Sequence, residues 1–138
     1  MELKKFLISG FLSGIVIFVI WIGFSYLVQM FFPYDTTKLQ GMRPMTDPLM
    51  NIFFLHPWVI GFAMSLFYPY FGESIASNYL FKGRLFGFLV WLVSSVPSSF
   101  IVYTTMEYPI GFTISQFFGS LIYMIMAGIM IAKIDELL

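Results

Sequence analysis

From Gly83 to Met106 the chain reads GRLFGFLVWLVSSVPSSFIVYTTM, and after Arg84 it carries no charge until Glu107. A helix rises about 1.5 Å per residue, so about twenty apolar residues cross the hydrocarbon core of a bilayer. Backbone polar groups have no water to bond there, so a spanning segment closes its own hydrogen bonds as a helix. Three further apolar runs have the same character, and the expected spans are 6–32, 49–71, 85–106 and 110–132. Charged residues make up 10% of the chain, against about 25% in a soluble domain. They gather between the runs. The expected fold class is therefore all-α: a polytopic membrane protein of one domain, residues 1–138, with four transmembrane helices in an up-down bundle. Lys4 and Lys5 precede the first run, but that run is about twice the length of a signal-peptide core and ends without a small-x-small site. It is expected to stay as an uncleaved span.

Lipid offers no hydrophobic drive for helix association, so close packing relies on small residues. On a helical wheel Gly83, Gly87, Ser94, Ser98 and Thr105 share a narrow face, and the other helices are expected to pack there. The first span offers Gly10 and Gly14, the second Gly61, and the fourth a row of Gly111, Ser115 and Gly119. Pro57, Pro69 and Pro97 each remove a helical hydrogen bond and favour kinks. Asp47 followed by Pro48 predicts a helix start, with Asp47 as the cap and proline in the first turn.

The connection 33–48 is the one long polar stretch. Four crossings place both termini and the 73–84 connection on one face with Lys4, Lys5, Lys82, Arg84 and Lys133, and leave Lys38 and Arg43 on the other. The positive-inside rule then predicts cytoplasmic termini in the cell membrane, with loop 33–48 outside. The two halves also echo each other faintly: Gly10, Gly14 and Trp21 against Gly83, Gly87 and Trp91, and Gly61-Phe62 with Ser65 against Gly111-Phe112 with Ser115. This allows a two-helix internal repeat.

Several chemistries lack their residues. Net charge is zero, with no basic cluster for nucleic acid. Cysteine is absent, which removes disulfides and thiolate metal sites. No span carries an acidic or basic residue away from its ends, which argues against a proton-coupled pump. The small multidrug transporters share this chain's size and helix number, but they need a carboxylate inside the first helix, and here there is none. His56 is the sole histidine, too few for a haem-bridging pair. Six of the ten methionines lie in or beside apolar runs, where they serve as filler rather than copper ligands. No catalytic residue, cofactor or metal is expected.

One candidate ligand cleft emerges on the loop side. His56 would form its floor, Trp58 and Tyr103 its walls, Glu107 its rim, and Ser94 and Ser98 a polar lining near Pro97. The expected function is a non-enzymatic membrane module, self-associating or serving as an accessory subunit of a membrane complex. Its partners would be the lipid bilayer and either further copies of itself or another membrane protein. The alternative is a small channel or carrier for a neutral or weakly polar solute, using the outward-facing cleft.

Taken together, Gly-xxx-Gly with Trp91 and Pro97 in the third span, His56-Pro57-Trp58 with Gly61 in the second, and the small-residue row of the fourth resemble a set of uncharacterised prokaryotic small four-helix membrane proteins. That resemblance implies a fold and no activity, so it carries over no functional residue.

Overall fold

The structure is a computed structural model describing residues 2–35, 38–39 and 41–138. Among them the regular elements are helices: α1 (Leu3–Phe31), α2 (Pro48–Phe53), α3 (His56–Phe71), α4 (Tyr79–Thr105) and α5 (Ile110–Leu137). Four segments, with α2 and α3 counted as one, are long and apolar enough to cross a membrane.

Their boundaries follow local chemistry. Asp47 caps α2 as expected, its carboxylate accepting from the Leu49 amide at 2.9 Å, with Pro48 in the first turn. The second span is broken, not merely kinked. Pro57 lacks an N–H and crowds the carbonyl four residues earlier, that of Phe53. The helix stops at Phe53 and restarts at His56, which puts Pro57 in a first turn where proline is tolerated. α4 begins six residues earlier than expected, because Asn78 caps it by accepting from the Phe81 amide at 3.0 Å. α5 runs five residues further, to Leu137, so Lys133 and Asp135 are helical. Lys133 lies over the Tyr79 ring at 4.3 Å, and Lys5 pairs with Asp135 at 3.5 Å, tying the two chain ends together.

The long helices pack in the order α3, α1, α5, α4. Along α1 and α3 the touching residues run in opposite senses: Ser9 meets Ser65 at 3.0 Å, and Trp21 meets Phe53 and His56. So do α1 and α5, where Lys5 meets Asp135 and Ser25 meets Ser115. In α4 and α5, Gly83 meets Gly128 and Gly87 meets Met124. The expectation that the other helices gather on the small face of α4 does not hold. α4 packs on α5 almost alone, and it is α5 that is central: half of its apolar window is buried, against 17% for α4. The small row of α5 faces α1 and the residues just after it, with Gly111 against Phe32 and Tyr34, Ser115 against Ser25 and Gly119 against Phe24. A second face, around Gly128, receives α4. The partner of Gly83 and Gly87 is thus Gly128 and not Gly111, so the matching Gly-Phe-x-x-Ser segments do not hold equivalent places in the two helix pairs.

At the end carrying the termini the row closes. Tyr68 of α3 and Phe86 of α4 meet edge to face at 5.3 Å, and Ile17, Met64, Ala127 and Ile131 complete a buried core. Toward the opposite end, among the described residues, no aromatic contact of this kind joins α3 to α4, and a pocket opens beside Tyr34, Met42, Arg43 and Met45.

Candidate functional site

A pocket of about 600 Å³ occupies that open end. α1 supplies one wall through Trp21, Ser25 and Gln29. α2 and α3 supply a second through Met50, Phe53 and His56. α5 supplies a third through Phe112, Ser115 and Gln116. Tyr123 and Ile60 lie deepest, and Tyr34, Met42, Arg43 and Met45 of the loop stand at the mouth. Phe112 and Tyr123 are eleven residues apart on one helix, so the pocket reaches about 16 Å along α5. A slot of this size suits a small organic molecule.

His56 owes its position to the proline beside it. Pro57 cannot bond the Phe53 carbonyl, and the His56 ring takes that carbonyl instead, Nδ1 to oxygen at 2.9 Å. The ring stacks on Phe53 at 4.7 Å and meets Trp21 edge to face at 4.6 Å. A carbonyl oxygen only accepts, so Nδ1 carries the proton, and in the neutral ring Nε2 is left as an acceptor.

Three hydroxyls complete the polar lining. Ser25 and Ser115 share one hydrogen bond at 3.2 Å. One of the two must accept in it, so one O–H of the pair remains to be donated. Tyr123 is 9% exposed and lines the pocket, and among the described residues its hydroxyl makes no hydrogen bond. Most other span hydroxyls bond back to their own helix, as Ser94 does to Val90 at 2.6 Å and Ser98 to Ser94 at 2.8 Å. The mouth holds an ion pair, Arg43 to Asp47 at 3.0 Å. The Leu49 amide first, and the Arg43 guanidinium second, hold the Asp47 carboxyl below its ordinary value.

Of the six residues expected to form a cleft, only His56 lies on this pocket. Trp58 fills the α1–α3 interface, its ring against Gly14 and beside Phe18 at 5.6 Å. Tyr103 is exposed on the outer face of α4, and Glu107 is exposed beyond its end. Neither makes a described bond to His56. Ser94 is exposed beside Met124. Ser98 lines a separate recess of about 170 Å³ between α4 and α5, with Thr113, Phe112 and Gln116. The set dispersed because α4 joins the row beyond α5 and does not border the pocket. Sequence reading missed Ser25, Gln29, Gln116 and Tyr123. A signal existed for the amides, since Gln29 and Gln116 are polar side chains inside otherwise apolar runs.

Among the described residues no group of three or more His, Asp or Glu side chains is placed to hold a metal ion. Comparison with protein-family models, with curated proteins and with solved structures found no match to this chain.

Proposed function

We propose that the protein is a four-span module of the cell membrane that binds a small, weakly polar solute without transforming it. The pocket beneath loop 33–48 carries this reading. It combines aromatic walls with hydrogen-bonding groups from three helices, as binding sites for small organic molecules do. The lysine and arginine distribution supports cytoplasmic termini and an outward-facing mouth. With the core around Tyr68 and Phe86 closed below the pocket, the arrangement favours a binder or carrier over an open channel. Purification in mild detergent followed by native mass spectrometry tests the reading. A bound small molecule is expected on the wild-type protein and absent from Ser115→Trp, which fills the slot. Equal recovery from both, or a pocket occupied only by detergent at every detergent concentration, refutes it.

A second reading is self-association or service as an accessory subunit. The observation favouring it is α4, held chiefly by α5 and presenting Val93, Phe100 and Ile101 outward. The chain has no cysteine, so Val93→Cys introduces a single thiol. Disulfide-linked dimers in native membranes support the reading, and monomer under oxidising conditions counts against contact through this face.

A further inference from the structure

Resting on the binding role proposed above, we infer that the ligand is a neutral ring-bearing lipophile with a hydroxyl group, of the phenol or hydroquinone class. The pocket's polar groups are complementary to such a molecule. Nε2 of His56 is an acceptor, because Nδ1 is committed to the Phe53 carbonyl. An acceptor needs a donor hydroxyl opposite it. The Tyr123 hydroxyl and the spare O–H of the Ser25–Ser115 pair are donors, and they need a ligand oxygen to accept. One hydroxylated ring answers both kinds of demand, while a hydrocarbon answers neither. Pairing α1 with its neighbours sets the depths. Ser25 is level with Ser115, and Trp21, one turn deeper, is level with His56. Tyr123 lies two turns below Ser115, and helical side chains lean toward the N-terminus, which here is the mouth. Its hydroxyl is therefore carried up toward the His56 level, yet no hydrogen bond joins the two side chains. A ligand oxygen placed between them would serve both. Phe53 and Trp21 bracket the imidazole and supply ring faces for an aromatic guest. At the mouth the Arg43 guanidinium is already paired with Asp47, so the described residues that line the site offer no free cation to favour a carboxylate.

The test uses the full chain in nanodiscs and four probes that share one skeleton: 2-naphthol, naphthalene, 1,4-naphthoquinone and 2-naphthoate. Saturable binding is measured above that of protein-free nanodiscs. The expected order is 2-naphthol first, naphthoquinone several-fold weaker because it cannot donate to Nε2, and naphthalene at least tenfold weaker. Tyr123→Phe should weaken 2-naphthol about five- to tenfold. It should also melt near the wild-type temperature without ligand, since it deletes a pocket-facing hydroxyl that makes no hydrogen bond to the described residues. A structural role for that hydroxyl would lower the melting temperature instead. Tyr68→Phe serves as control: its hydroxyl is buried without a partner and lies outside the pocket, so binding should not change. Naphthalene binding as tightly as 2-naphthol, naphthoquinone or naphthoate binding tighter, or an unaffected Tyr123→Phe would each overturn the hydroxyl selectivity while leaving the pocket intact. Saturable binding of none of the four would overturn both readings.

Discussion

Replacing Gly87 by alanine should separate α4 from α5 and leave the rest of the row standing. A Cβ at Gly87 would lie 2.3 Å from the Met124 carbonyl oxygen and 2.7 Å from the Ile125 Cα. Both are backbone atoms of α5 and cannot rotate away. Restoring the 3.4 Å of ordinary contact takes a separation of 3.4 − 2.3 = 1.1 Å. One turn along, the Trp91 indole donates to the Phe117 carbonyl at 3.0 Å. The same displacement would stretch that bond to about 4.1 Å, beyond hydrogen-bonding range. Overpacking costs about 1–3 kcal/mol and the lost bond about 1. Alanine returns up to about 1 kcal/mol in helix propensity. The net loss is about 1–3 kcal/mol, with α4 bearing it. Gly119 is the comparison. There the new Cβ meets the Phe24 ring edge at 2.9 Å and nothing else closer than 3.5 Å. A small turn of that ring relieves the contact, so Gly119→Ala should be within about 1 kcal/mol of wild type. Equilibrium unfolding in mixed micelles would measure both. An engineered cysteine pair across α4 and α5, possible in a cysteine-free chain, would report their separation by slower disulfide formation. If Gly87→Ala unfolds at the wild-type detergent fraction, or Gly119→Ala costs more than Gly87→Ala, the backbone-contact reasoning is wrong.

Reporters at either terminus should read cytoplasmic, and a tag inserted after Gly41, exposed and at φ 83°, should be labelled from outside intact cells. Labelling of an N-terminal tag instead would invert the orientation. The bond between Ser9 and Ser65 is buried, but Ser9 also bonds the Lys5 carbonyl at 2.6 Å. Ser65→Ala should therefore cost only about 0.6 kcal/mol in the same unfolding assay; a loss of several kcal/mol would contradict this. The depressed carboxyl of Asp47 contributes stability above its unfolded value and loses it as pH falls through the lower native one. Melts taken downward from pH 6 should show acid destabilisation as the Asp47 carboxylate is protonated, and that destabilisation should be reduced in Asp47→Asn. Parallel profiles would show that Asp47 does not set this dependence.

Much of the fold was legible because membrane spans and caps are local. The four apolar runs gave the four segments long and apolar enough to cross a membrane, and Asp47-Pro48 gave the start of α2. Gly111, Ser115 and Gly119 of the small row of α5 lie against Phe32, Ser25 and Phe24. Lateral order was not legible. In water an apolar stripe distinguishes inside from outside, but in a bilayer both lipid and core accept Leu, Phe and Val alike. Nothing in Val93 or Phe100 marks them as outward, and nothing in Trp58 says that it faces Gly14. Serines misled for a related reason. Ser94 and Ser98 satisfy themselves on their own helix, so their clustering did not signal a polar cavity. The pocket itself draws on three spans and a loop, and only His56, conspicuous as the single histidine, pointed toward it.

The position of α4 at the end of the row has a consequence for how the molecule is made. Synthesis proceeds from the N-terminus, so α3 emerges directly after its partner α1 and the two can join at once. α4 emerges next, before the helix that holds it exists. Until α5 follows, the groove of Gly83 and Gly87 has only lipid, or the insertion machinery, to face. A nascent chain arrested at Met106 should therefore remain crosslinked to that machinery through α4, and release should wait for α5.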